Sequence, residues 1–114
     1  MKEHLLVVDI GTQSLRASII DKDGNTIVFS QKKYETPYFS VKEGFAEQDA
    51  DYYMDVLAEA TTEIYEKEPE ALNTISGMVM VSFRDSSLIL DKDLKPIRPA
   101  VLWLDQRITR SPQL

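Results

Sequence analysis

The run Leu5-Leu6-Val7-Val8-Asp9-Ile10 constrains this chain more than any other segment. It has strand length rather than helix length, it is rich in branched side chains, and Gly11-Thr12-Gln13-Ser14 ends it abruptly. Apolar residues fall on both of its faces, which predicts a central strand covered from both sides. The next stretch alternates: Leu15, Ala17 and Ile19 share one face, Arg16 and Ser18 the other, until Ile20 breaks the pattern. Lys22-Asp23-Gly24-Asn25 is a tight-turn signal, with glycine free to take the positive φ a hairpin needs. Residues 26–34 read as a third strand with Ile27 and Phe29 on one face. Residues 5–34 therefore predict an antiparallel meander of three strands.

Downstream the period changes. Residues 35–48 look irregular, punctuated by Pro37 and Gly44, with Tyr38, Phe39 and Phe45 as anchors and Glu47 on the surface. Asp49 is placed to cap a helix over residues 49–67, because Tyr53, Val56, Leu57, Ala60 and Ile64 recur at helical spacing. Pro69 ends that helix. Residues 74–82 form a second apolar run of the buried-strand kind, and residues 86–90 a short strand. A turn at Asp91-Lys92-Asp93 follows, then extended chain through Pro96 and Pro99. A last strand covers residues 100–103, and Asp105 would cap a helix starting near Gln106. The predicted order is β-β-β-α-β-β-β, a mixed sheet with a helix packed on one face. Because the last residues read as no packed terminus, we expect the chain to be the front piece of a longer protein.

Composition narrows the function classes. There is no cysteine, so disulfides, thiolate metal sites and thiol nucleophiles are excluded. The single histidine, His4, leaves nothing for a histidine-cluster metal site or a Ser/His/Asp triad. The formal net charge of -6 disfavours a nucleic-acid binder, which should carry a basic patch. No apolar run approaches membrane-spanning length, and the first residues do not form a signal peptide, so we expect a cytoplasmic protein.

The chemistry concentrates in Asp9-Ile10-Gly11-Thr12-Gln13-Ser14-Leu15-Arg16. A carboxylate at the end of a buried strand is costly without a partner, and a hydrated Mg²⁺ is one such partner. Gly11 allows a tight bend; Thr12, Gln13 and Ser14 offer hydroxyl, amide and backbone donors that could hold polyphosphate oxygens. Arg16 could add a charge-assisted contact. Read alone, the same residues also describe a hairpin turn with a polar edge. The glycines are too scattered for either a Walker or a dinucleotide fingerprint.

Three segments taken together are more specific: the turn at residues 9–16, Gly44-Phe45-Ala46-Glu47-Gln48-Asp49 before the helix, and Arg98-Pro99-Ala100-Val101-Leu102-Trp103-Leu104-Asp105-Gln106-Arg107. In this order and spacing, over essentially all of residues 1–114, the chain resembles the N-terminus of the FGGY carbohydrate kinases, which include glycerol kinases and xylulose kinases. The resemblance implies an α/β, ribonuclease-H-like fold of the actin and hexokinase kind, and transfer of the γ-phosphoryl of ATP to a sugar or polyol hydroxyl. It also implies phosphate contacts from Gly11, Thr12, Gln13, Ser14 and Arg16, with Asp9 orienting Mg²⁺ through water. Carbohydrate contacts map onto Arg84, Asp85 and Trp103. Glycerol kinases carry arginine then glutamate at that loop, so Arg84-Asp85 is a shortened version; xylulose kinases carry methionine-histidine, from which this sequence departs. The family's catalytic base lies downstream of residue 114, so these residues alone are expected to transfer no phosphate. Two rival readings are an actin-like or chaperone-type ATPase, and, should the gene end at Leu114, a non-catalytic module binding a sugar or a protein. Read without the resemblance, Trp103 is a core aromatic and Arg84-Asp85 a solvated ion pair.

Overall fold

The computed structural model describes residues 3–107, which divide into two compact units. One contains the chain up to Glu35 together with Tyr53–Phe83; the other contains Thr36–Tyr52 and the residues from Arg84 onward.

The first unit is built on a four-stranded sheet. β1 (His4–Ile10), β2 (Ser14–Ile20) and β3 (Thr26–Lys33) form the expected antiparallel meander. β5 (Ile75–Ser82) joins β1 in parallel, giving the order β3-β2-β1-β5. Leu15, Ala17 and Ile19 are fully buried, as their alternation requires. Val8 lies opposite Ala17, and Val28 opposite Ile19, so one sheet face carries a continuous apolar layer. The break at Ile20 is physical: the β2–β3 register shifts between Ile19 and Ile20. The turn before β3 has Gly24 at φ 84°, and Asp21 accepts hydrogen bonds from the Asp23 and Asn25 amides.

Helix α1 (Ala50–Lys67) covers that layer with Val56, Ala60 and Ile64. Lys32, opposite Leu15 in the register, pairs with Glu63 of the helix, and Glu63 also bridges Lys67 at 2.7 Å. The two lysines hold the Glu63 carboxyl at about 2, below its ordinary range. Pro69 does more than stop the helix, since it opens a 3-10 helix, Pro69–Thr74, at a position where its missing N–H costs nothing.

One expectation needs correcting here. β5 is not a buried strand: Met78, Val79, Met80 and Val81 are each about half exposed. It lies at the sheet edge, bonded to β1 alone among the described strands. The face bearing Ile27 and Phe29 is likewise the open one, with both residues 40% exposed or more.

The second unit is mostly turns. β4 (Glu47–Gln48) pairs antiparallel with β6 (Ala100–Val101), so residues assigned to an irregular segment are a short strand. Conversely, residues 86–90 form single bridges, Ser87 to Val101 and Leu90 to Pro96, and not a strand. Strands this short carry no alternation that a sequence could reveal. The observed order is therefore β-β-β-β-α-β-β, a mixed sheet and a covering helix plus a two-stranded ribbon. The helix expected to start near Gln106 falls outside the described residues.

Candidate carbohydrate and phosphate sites

The β1–β2 turn is closed by its own backbone. The Gly11 amide donates to the Ser14 carbonyl at 2.9 Å, the Tyr34 hydroxyl donates to the Gly11 carbonyl at 2.9 Å, and the Tyr34 amide donates to the Gln13 carbonyl at 3.0 Å. A Cβ at residue 11 would sit 3.1 Å from the Ser14 carbonyl oxygen, a tight contact that favours glycine at this bend. Ser14 is buried, and its Oγ accepts from Gln31 Nε2 at 3.2 Å. Gly11 therefore supplies the bend, and Ser14 supports it from within. Gln13 is exposed and Thr12 partly so. Asp9 and Arg16 face each other across β1 and β2, 3.8 Å apart, with side chains 42% and 45% exposed. An ion pair that exposed contributes little, so either partner can turn to a ligand at small cost.

In the second unit, Arg84, Asp85 and Trp103 line one cavity of about 240 Å³. Trp103 is 52% exposed, which rules out a core role within the described residues. Its amide donates to Ser86 Oγ at 3.1 Å, tying the tryptophan turn to the residue after Asp85. Asp85 sits at φ 59°, a conformation that non-glycine residues adopt sparingly and aspartate more readily than most. Strain held at a cavity-lining carboxylate fits a binding role. The cavity thus offers a guanidinium donor, a carboxylate acceptor and an apolar ring face, the three groups that recognise vicinal hydroxyls and their C–H edges.

Sequence reasoning did not anticipate the ion pairs of this unit. Glu47, expected at the surface, is 4% exposed and pairs with Arg98 and, at 3.0 Å, with Arg107. Asp105, expected to cap a helix, accepts the Arg107 amide at 2.8 Å as a cap would, and also receives the Ala46 amide at 2.7 Å and a bidentate contact from the Arg107 guanidinium at 2.8 and 2.7 Å. Arg107 foremost, then the Ala46 amide, holds the Asp105 carboxyl down at about 2, against burial. Tyr53 lies against Tyr34 and Phe83 in the first unit, with ring centroids 5.6 and 5.5 Å apart. His4 bonds Thr74 at 2.6 Å.

A mixed sheet with a parallel edge strand and a covering helix give the fold of the actin and hexokinase-like kind. The chain belongs to the FGGY family of carbohydrate kinases, whose N-terminal domain matches residues 4–112. It is 30% identical over 112 residues to a xylulose kinase of Lactococcus lactis, spanning 96% of this chain and 22% of that protein. It is 35% identical over 107 residues to a glycerol kinase of Mycoplasma mycoides, spanning 93% of this chain and 21% of that one. A crystal structure of xylulose kinase from Rhodospirillum rubrum superposes with a TM-score of 0.81 at 20% identity, over 91% of this chain and 21% of the other. The chain thus spans about a fifth of the length of the relatives it matches. No helix among the described residues is long and apolar enough to cross a membrane.

Proposed function

We propose that residues 1–114 are the leading part of the first domain of an ATP-dependent, cytoplasmic kinase that phosphorylates a small sugar or polyol. The observation that carries this reading is the shared cavity of Arg84, Asp85 and Trp103 in a chain of FGGY ancestry. Arg84 donates to carbohydrate oxygens, Asp85 accepts from paired hydroxyls, and the Trp103 ring covers C–H groups. An arginine–carboxylate pair suits an acceptor with adjacent hydroxyls, and glycerol is the simplest of these.

The β1–β2 turn is the phosphate end of the same reading. Its outward residues fit the role: Asp9, Thr12, Gln13 and Arg16 reach solvent, while Gly11 and Ser14 keep the bend tight. Mg²⁺·ATP, when bound, supplies the phosphoryl group and the metal's charge. Arg16 would neutralise phosphate oxygens, Thr12 and Gln13 would donate hydrogen bonds to them, and Asp9 would face the hydrated metal. Phosphoryl transfer also needs a base for the attacking hydroxyl, and nothing at residues 1–114 is assigned that task.

A panel of polyols, aldoses and ketoses with Mg²⁺·ATP tests the proposal by ADP release from the protein that continues this sequence. Turnover with one or a few related carbohydrates, abolished by Asp85→Ala, is expected. ATP hydrolysis indifferent to every carbohydrate would favour an ATPase of the same fold. The 114-residue chain alone should release no ADP.

A further inference from the structure

Two carboxylates and two guanidiniums meet in the second unit, inside a structure with few apolar residues to bury. Burying charge is expensive, and a hydrophobic replacement of such a cluster is often no less stable. The geometry of the cluster shows what it does achieve. Asp105 and Arg107 lie just after Trp103, and Arg98 just before β6. All three converge on residues 45–47: Asp105 takes the Ala46 amide, Arg98 and Arg107 take Glu47, and the Arg107 guanidinium lies 3.7 Å from the centre of the Phe45 ring. Backbone bonds complete the frame, with the Leu102 amide donating to Ala46 at 3.0 Å and the Gln106 amide to Gly44 at 2.7 Å. The chain is pinned on both sides of Trp103 while the indole itself stays half exposed.

We propose that Glu47, Asp105 and Arg107 form an ionic clasp that fixes the Trp103 turn beside Arg84 and Asp85. They are positioning residues: none lines the Arg84–Asp85–Trp103 cavity, and each acts through the tryptophan. Their relevance to carbohydrate binding rests on the function proposed above; the clasp itself does not. A planar, bidentate Asp105–Arg107 contact fixes direction as well as distance, which a lysine cannot reproduce.

Trp103 is the single tryptophan of residues 1–114, so its fluorescence reads the clasp directly in this chain. For Arg107→Ala we expect acrylamide quenching to rise about twofold and anisotropy to fall, at unchanged far-UV circular dichroism, as for a locally released turn. Arg107→Lys should restore part of the difference. Asp105→Asn keeps an acceptor for the Ala46 amide but loses the charge facing Arg107, and should behave like Arg107→Ala; it serves as the reading if that variant fails to fold. Glu63→Gln, which loosens the helix clasp of the other unit, should leave Trp103 unchanged. Parent-like quenching and anisotropy in Arg107→Ala and Asp105→Asn would overturn the proposal, as would an equal change in Glu63→Gln. A released tryptophan with no carbohydrate turnover in the panel would sink the kinase reading and not the clasp.

Discussion

The unit around the four-stranded sheet buries Val8, Leu15, Ala17, Ile19, Val28, Val56, Ala60 and Ile64, and keeps its charged pair of Lys32 and Glu63 at the margin. The other unit buries Ala46, Ala100 and Leu102 as its apolar residues, and places Glu47, Gln48 and Asp105 inside with them. One is held by an extensive, non-directional apolar layer; the other by a few directional contacts. The difference suits their proposed tasks. A turn that presents phosphate donors needs a rigid sheet beneath it. A cavity that recognises hydroxyls needs side chains aimed from loops, and polar contacts set aim better than apolar ones do.

Breaking the apolar layer should have the largest effect. Ile64→Ala removes a fully buried side chain from under the sheet and should destabilise the first unit by about 3 kcal/mol, measured by urea unfolding followed by circular dichroism. Asp105→Ala should come next. It leaves the buried Ala46 amide without its acceptor and Arg107 without its bidentate partner, a loss of about 2 kcal/mol, with Trp103 fluorescence reporting the unfolding.

Acid should reach both units in overlapping windows. The Glu63 carboxyl is lowered from 4.5 to about 2, and that of Asp105 from 3.8 to about 2. A carboxyl depressed in the folded state contributes stability above its unfolded value, and that contribution disappears as pH falls through the folded one. Stability should therefore decline between pH 4.5 and about 2, and Asp105→Asn should flatten the part of the curve that Trp103 fluorescence follows below pH 3.8.

The smallest effect compares a pair of matching turns, one in each unit. Asp21 and Asp91 each accept two backbone amides with the same side-chain oxygen, and each turn places a residue at positive φ: Gly24 at 84° and Leu94 at 63°. Leucine there is strained and 77% exposed, so it buries little in return. Leu94→Gly should stabilise the second unit by about 0.5 kcal/mol, and Gly24→Ala should destabilise the first by about 1 kcal/mol, both from thermal unfolding.

The same contrast explains what could be read in advance. The meander was legible because Leu15, Ala17 and Ile19 alternate, and the helix because Val56, Ala60 and Ile64 recur; burial itself imposes both periods. The openness of β5 was not legible, because Met78 to Val81 read as buried whatever covers them. Strands β4 and β6 are two residues each, too short to carry a period. The burial of Glu47 and Asp105 was not legible, because a buried carboxylate is recognised by its partners, and Arg98 lies 51 residues from Glu47 in sequence. Arg84, Asp85 and Trp103 were singled out by resemblance, because their local pattern alone reads as a solvated ion pair and a core aromatic.

The most direct measurement is a crystal of the protein that continues this sequence, soaked with magnesium and a nucleotide. Phosphate oxygens should lie against Thr12 and Gln13 with Arg16 turned away from Asp9 toward them. A nucleotide seated elsewhere, with the Asp9–Arg16 pair intact and the turn covered by neighbouring side chains, would contradict the account.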